Sequence, residues 1–264
     1  MNTKKNSLFL ACHNLSPDVL AFSTTRSGGC SVGEYASFNI NPFCGDNPLH
    51  VDENLLMLSE EIRVSREHIV MPHQIHGVSV KRITEDFFLQ SGTDRKMLLE
   101  GIDALTTDIP QVCIGVSTAD CIPVFLYDKE HHAVAVSHAG WRGTVARIVA
   151  KTLETMAEEY GTAPQDVVAV IGPGICLEHF EVGDEVYQAF YDAGFDMQKV
   201  AKRHERWHID LPLCNALELQ LCGVKSENIR LSGLCTYCDN DRYFSARRQG
   251  ILSGRIYNGI MLKK

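Results

Sequence analysis

Two apolar runs flanking a short polar stretch constrain this chain more than any other feature. Ile122-Pro-Val-Phe-Leu-Tyr127 and Ala133-Val-Ala-Val-Ser137 are rich in β-branched and aromatic residues, with Asp128-Lys-Glu-His131 between them. That pattern predicts two adjacent antiparallel strands. With a two-residue turn at Lys129-Glu130, position 128 pairs with 131 and, by counting, Cys121 pairs with His138. Directly opposed residues hold their Cβ atoms roughly 4.5–5.5 Å apart. Cys121 and His138 are therefore expected together, either as two ligands of one metal or as a nucleophile and its base. A one-residue slip would send one of them to the other face, so this expectation hangs on the register.

The rest of the chain reads as mixed α and β structure. Strands are expected over 19–24, 78–83, 102–106, 112–116 and 167–171, and a turn at Arg26-Ser-Gly-Gly29. A helix is expected over 52–61, with Asp52 as its N-cap. Thr144 should cap another, because Val145, Ile148, Val149, Leu153 and Met156 keep the 3.6 period. Segments 181–191 and 212–222 read as further helices, and 84–99 as an irregular polar excursion. Strands joined mostly by hairpins, with few βαβ alternations, favour α+β architecture over a doubly wound sheet.

At 264 residues with 45% hydrophobic content, the chain can bury a full core. With no linker or repeat, one domain over residues 1–264 is expected. A net charge of −8 argues against nucleic-acid binding, which needs a concentrated basic stripe. The ten cysteines are scattered, several in apolar runs, as fits reduced thiols acting as small hydrophobes. Lys4-Lys5 before Leu8-Phe-Leu-Ala-Cys12 imitates a lipoprotein signal. Its apolar stretch falls short of the roughly 7–15 residues an h-region needs, and no segment approaches a membrane span. An amino-terminal strand in a cytoplasmic protein is the expectation.

The motifs fall in a recognisable order: Gln74-Ile-His-Gly77, Asp103-Ala104, Thr118-Ala-Asp-Cys121, His138-Ala-Gly-Trp-Arg-Gly143, Gly172-Pro-Gly174, Phe180-Glu-Val182, Cys235-Thr-Tyr237 and Phe244-Ser-Ala-Arg-Arg248. From about Phe22 to Arg248 the chain resembles the YfiH/YlmD family, bacterial relatives of the mammalian protein FAMIN. Members once labelled polyphenol oxidases or laccase-domain proteins are described as purine nucleoside phosphorylases with adenosine deaminase activity. The resemblance implies a mixed β-sheet sandwich flanked by helices, the YfiH-like, cysteine-hydrolase-type fold. It implies a zinc site with one ligand from each of three blocks: His76, Cys121 and His138. Imidazole and thiolate suit zinc, and three protein ligands leave a fourth position open, as in catalytic sites. Copper(II) also suits such ligands.

The implied activities share purine nucleosides as substrates. Water activated by the metal would attack C6 of adenosine to give inosine. Phosphate attacking C1′ of adenosine, inosine or methylthioadenosine would release the base and a (thio)ribose 1-phosphate. Phosphate needs cationic anchors, and Arg26, Arg142, Arg247 and Arg248 are candidates because guanidinium grips phosphate in a fork. The loop Ala139-Gly-Trp-Arg-Gly143 leads into the helix expected after Thr144, whose free amides would also favour an anion. Asn39, in a Phe-Asn pair that resembles the family's, is a candidate for ribose. Asp120 adjoins Cys121 and points to the opposite strand face if both are extended; an irregular stretch over 118–121 would let it orient a ligand histidine or carry a proton, with Asp103 a further candidate of the same kind.

Two motifs compete for attention. His204-Glu-Arg-Trp-His208 satisfies the zincin pattern H-E-x-x-H, which requires one helical face; here it leads into an expected short strand before Pro212. Cys235-Thr-Tyr-Cys238 would need a second ligand pair to hold a structural zinc; none is evident, so Cys238 reads as incidental. Cys176 stands where relatives often have glycine and reads as a nearby thiol or as filler. The principal alternative function is a metal-independent cysteine hydrolase or deamidase with Cys121 as nucleophile and His138 as base. A non-catalytic zinc or nucleotide-binding protein ranks third.

Overall fold

In the computed structural model, residues 10–264 are described. Lys4, Lys5 and Leu8 lie outside them, and the expected amino-terminal strand runs over Leu10–His13. Two sheets form the body. The six-stranded sheet runs in the order Ile229–Leu231, Val167–Ile171, Ile122–Asp128, Ala133–Ala139, Ala104–Thr107, Val80–Arg82. Its two outer pairs are parallel and its inner ones antiparallel. The five-stranded sheet runs Leu10–His13, Val19–Thr24, Ile256–Leu262, Cys113–Thr118, Ile69–Val70. The α+β sandwich with flanking helices that the family resemblance implies is the fold observed.

Period-2 alternation sorts the side chains into layers. Phe125, Tyr127, Val134, Val136, Val168 and Val170 of the larger sheet pack against Ile114, Val116 and Ile260 of the smaller, so this core fills the space between the sheets. The intervening residues Ile122, Val124, Leu126, Ala133, Ala135 and Ala169 face outward onto Ile148, Val149, Leu153 and Met156 of the helix Ile148–Tyr160 and Leu211 and Leu219 of the helix Leu211–Leu221. The small alanines let the first helix lie close. Each fully buried aliphatic or aromatic side chain is worth about 1.5–3 kcal/mol.

The central hairpin departs from the expected register. Pro123 pairs with His138 and Asp128 with Ala133, so the loop spans residues 129–132. The cause is Asp128, a buried carboxylate that accepts hydrogen bonds from the Glu130 and His131 amides and meets the His131 ring at 2.8 Å. Wrapping the chain around that carboxylate takes a wider loop, with His132 at φ 50°. The slip is two positions, and an even slip leaves every side chain on its face.

Burial acts to raise the Asp128 carboxyl, but the His131 ring and the loop amides help bring it below its ordinary value. Asp128→Ala should cost about 1–3 kcal/mol by leaving those donors unmet. A folded pKa below the unfolded one gives a contribution that is whole at neutral pH and lost as pH falls through the folded value. The stability gap between wild type and Asp128→Ala, followed by thermal melting, should therefore narrow below about pH 4. A gap that stays constant into acid would contradict this account of the loop.

Other boundaries differ for local reasons. The first long helix is Pro48–Ile62, one turn earlier than expected, because Asn47 rather than Asp52 caps it by accepting from the Leu49 amide, with Pro48 in the first turn. The excursion over 84–99 contains two short helices, Glu85–Leu89 and Gly92–Leu98. The segment expected to be helical from Glu181 begins as the strand Glu181–Val182 before the helix Asp184–Asp192. That strand, Trp207–Ile209 and Ala201–Arg203 form a small third sheet. His204 to His208 is thus a hairpin turn and strand, with His208 buried against the Leu177 carbonyl at 3.0 Å, and the H-E-x-x-H pattern has no helix to act on. Among the described residues no helix is long and apolar enough to cross a membrane.

Candidate metal centre

His138 lies near the end of the strand Ala133–Ala139, and Cys121 immediately precedes the strand Ile122–Asp128. Both share the parity of the residues facing the other sheet, so they meet at the mouth of the sandwich. His76 comes from the loop after Ile69–Val70. Donor atoms of His76, Cys121 and His138 all lie within 4.8 Å of one another, and the two imidazoles meet edge to face with centroids 4.8 Å apart. His138 is buried, Cys121 half-buried and His76 exposed, so the group opens toward solvent on the His76 side.

The His76 loop is built to hold this shape. Gln74 pairs its side-chain amide with the Ser117 backbone in both directions, accepting from the amide at 2.7 Å and donating to the carbonyl at 2.9 Å. His76 sits at φ 64°, a left-handed conformation rare for residues other than glycine. Asp103 holds it there: its buried carboxylate accepts from the amides of Ile75 at 3.2 Å, His76 at 2.9 Å and Gly77 at 2.7 Å. The same carboxylate takes the Nδ1 proton of His138 at 2.8 Å. That bond fixes the tautomer and leaves Nε2 free to ligate. Gly140 completes the site from below, since a Cβ there would stand 2.9 Å from Cys121 Sγ and 3.0 Å from His76 Cδ2.

The electrostatics favour a thiolate at Cys121. Burial acts to raise the Cys121 thiol, but the charges and hydrogen bonds of His138 and His76 outweigh it and hold the thiol below its ordinary value. Thiolate is the form that binds metal or attacks carbon. Burial likewise acts to lower His138, but Cys121 and Asp103 outweigh it and raise the ring, so a metal bound at Nε2 would displace the proton that otherwise pairs with the thiolate. By contrast Cys113, sealed in the core, is pushed up to about 12 by burial. A thiolate, two imidazoles and an open side fit a single zinc-like ion.

The remaining residues singled out from the sequence lie elsewhere. Asp120 is bent away at φ 91°, and its carboxylate accepts from Thr236 Oγ1 and the Arg247 amide, both at 2.7 Å. The carboxylate that orients a histidine is Asp103. Arg26 spends its guanidinium on the carbonyls of Ala36 and Asn240. Asn39 is fully buried, donating to Asp46 and accepting from the Asn41 and Arg255 amides. Arg247 donates to the carbonyls of His179 and Glu181, and Arg248 to that of Tyr237. Arg142 is exposed and stacks on Trp141. Its helix is the short Trp141–Val145, ended before Arg147 at φ 67°, so Thr144 lies inside it and caps nothing.

The cleft over the three ligands, about 380 Å³, is lined instead by Asn41, Phe43, His73, Ser117, Ile251 and Arg255, among others. Phe43 stacks on His73 with centroids 4.2 Å apart. Arg255, which the motifs did not flag, is the arginine in that wall, and it too donates to backbone carbonyls, those of Ser253, Gly254 and Ile251. It follows the Ser253-Gly254 turn into the strand Ile256–Leu262, whose central place in the smaller sheet also went unread because Asn258 and Gly259 interrupt its run of strand-forming residues. A second convergence joins Cys176, His179, Cys235 and Cys238. The ligand pair that Cys235 and Cys238 lacked is Cys176-Leu-Glu-His179.

Fold and site together define a sandwich protein with an open His/Cys/His group at one end. A family model described as "Multi-copper polyphenol oxidoreductase laccase" matches residues 20–263. A purine nucleoside phosphorylase of Bacteroides thetaiotaomicron is 46% identical over 98% of both chains. The adenosine deaminase RL5, from an unknown prokaryotic organism, is 41% identical over 93% of this chain and 94% of its own. Among solved structures, the hypothetical protein YfiH of Bacillus licheniformis superposes with a TM-score of 0.87 at 30% identity, covering 93% of each chain. YlmD of Geobacillus stearothermophilus gives the same TM-score at 28% identity, covering 94% and 93%. The chain belongs to the YfiH/YlmD family.

Proposed function

We propose that this protein is a zinc-dependent purine nucleoside enzyme, splitting adenosine, inosine or methylthioadenosine with phosphate and also deaminating adenosine. The observation that carries the reading is the open His76/Cys121/His138 group with Asp103 behind it, in a chain whose relatives bear those two enzyme names. Zinc held by these residues would supply Lewis-acid activation at the reacting centre. Asp103 fixes the His138 ring and the His76 loop, so that the donors are set before substrate arrives. Phe43 on His73 offers a flat apolar face for a purine ring. Arg255 is the guanidinium in the wall for phosphate, which would share its Nη donors with the carbonyls of Ser253, Gly254 and Ile251. In phosphorolysis a phosphate oxygen bonds to C1′ as the base leaves with the electron pair of the C1′–N9 bond. In deamination water adds at C6 and ammonia departs.

Zinc suits this site better than the multicopper chemistry of the family description. Multicopper centres draw on closely spaced His-x-His pairs, and the sequence contains none. A cytoplasmic location fits ten free cysteines, and small nucleosides with phosphate fit an acidic chain better than nucleic acid. One observation favours a second reading: Asp103, His138 and Cys121 also form an orienter, base and nucleophile, the constellation of a metal-independent cysteine hydrolase. His76 would be idle there.

The test is product chromatography with adenosine, in phosphate and in phosphate-free buffer. Adenine and ribose 1-phosphate should appear only with phosphate, and inosine in both. Neither product from zinc-replete protein would defeat the reading.

A further inference from the structure

We propose that Cys176, His179, Cys235 and Cys238 form a second zinc site, structural in purpose and separate from the open one. It goes beyond the nucleoside chemistry and stands without it. The four residues supply C-x-x-H and C-x-x-C pairs, a spacing typical of structural zinc, and one donor atom from each lies within 4.8 Å of all the others. His179 Nδ1 is 3.2 Å from Cys176 Sγ and 3.4 Å from Cys238 Sγ. Zinc–sulfur bonds of about 2.3 Å and zinc–nitrogen bonds of about 2.0–2.1 Å put the sulfur–nitrogen edge of a tetrahedron at about 3.5 Å. The side chains are thus spaced as the corners of such a site. A neutral imidazole nitrogen can satisfy one of two thiols that converge on it, whereas a central cation satisfies all four groups.

The backbone brings the pairs together by itself. Gly174 and Cys235 form a parallel bridge, with the Gly174 amide donating to Leu234 and the Thr236 amide donating to Gly174. Each pair is closed by a turn: the His179 and Phe180 amides donate to the Cys176 carbonyl, and the Asp239 amide to that of Cys235. The Cys176 amide points at Cys235 Sγ, 3.4 Å away, a bond that steadies a metal-bound thiolate. Tyr237 stacks on the His179 ring at 4.3 Å and sets its plane.

Four protein ligands leave no place for substrate, so this metal is a clamp. What it clamps adjoins the open site. Asp120 accepts from Thr236 and from the Arg247 amide through its carboxylate, and from the Ile175 amide through its carbonyl. The two zinc-bearing loops therefore hold the residue immediately before Cys121.

Zinc content per chain decides the matter, measured by elemental analysis after dialysis. Wild type should hold two ions, Cys121→Ala one, Cys238→Ser one, and the double variant none. One ion in wild type with none in Cys121→Ala would overturn the second site and leave the first intact. Should Cys238→Ser fail to fold, cobalt(II) titration of metal-stripped Cys121→Ala serves instead. One equivalent should give the visible bands of tetrahedral thiolate-bound cobalt and raise the melting temperature by several degrees. Absence of those bands, or a disulfide among Cys176, Cys235 and Cys238 in the protein purified under reducing conditions, would also overturn the proposal.

Discussion

Cys121→Ala should lose adenosine turnover by more than about a hundredfold, the upper end of what removing an outer partner of a metal ligand costs. Its sulfur is the one anionic donor of the open group, and a thiolate held between two imidazoles is both the strongest ligand there and the strongest nucleophile. Alanine leaves His76 and His138 with a weaker hold on the ion and no thiolate of either kind. The fold should survive, because Cys121 is half-buried at the cleft and the strand after it is pinned by its partners on both sides. The measurement is initial rate against melting temperature. Full turnover in the variant would mean that the chemistry lies elsewhere.

Asp103→Asn should be nearly as damaging for a residue that touches neither metal nor substrate. Its carboxylate accepts four hydrogen bonds at once, from three successive amides and from His138. An asparagine side chain keeps one acceptor oxygen and turns an NH2 toward donors, leaving some buried groups unmet at about 1–3 kcal/mol. The left-handed turn at His76 then loses what holds it, and His138 loses its fixed tautomer. Zinc affinity should fall by about 10–100-fold, read by competition with a chromophoric chelator, with a lowered melting temperature. Unchanged affinity would show that Asp103 shapes the loop without governing the ligands.

Which parts were legible in the sequence follows from what each depends on. The hairpin that joins Cys121 to His138 was readable from composition, but its loop was not, because a buried Asp128 favours a wider turn. The error was even, so the facing survived it. Alternation along a strand also told which side chains share a face, and it turned Asp120 away from Cys121; the bend at Asp120, φ 91°, leaves its carboxylate on Thr236 and the Arg247 amide. Its place beside Cys121 made it a candidate orienter; the structure gives that post to the other candidate, Asp103, whose carboxylate meets the His138 ring. The four arginines were chosen for their chemistry alone. Three of them are tied to backbone carbonyls and the fourth stacks on Trp141. Arg255 could be found only by knowing where the last strand lies. The second cysteine-rich cluster did carry a signal, a C-x-x-H ahead of the C-x-x-C, but a bridge between residues 59 apart is a tertiary fact.

The most direct test of the metal account is adenosine turnover by wild-type protein stripped with chelator and then titrated with zinc, with products followed in phosphate buffer. Activity should vanish on stripping and return as zinc fills the His76/Cys121/His138 group. Full turnover by the stripped protein would contradict it and make Cys121 a nucleophile in its own right.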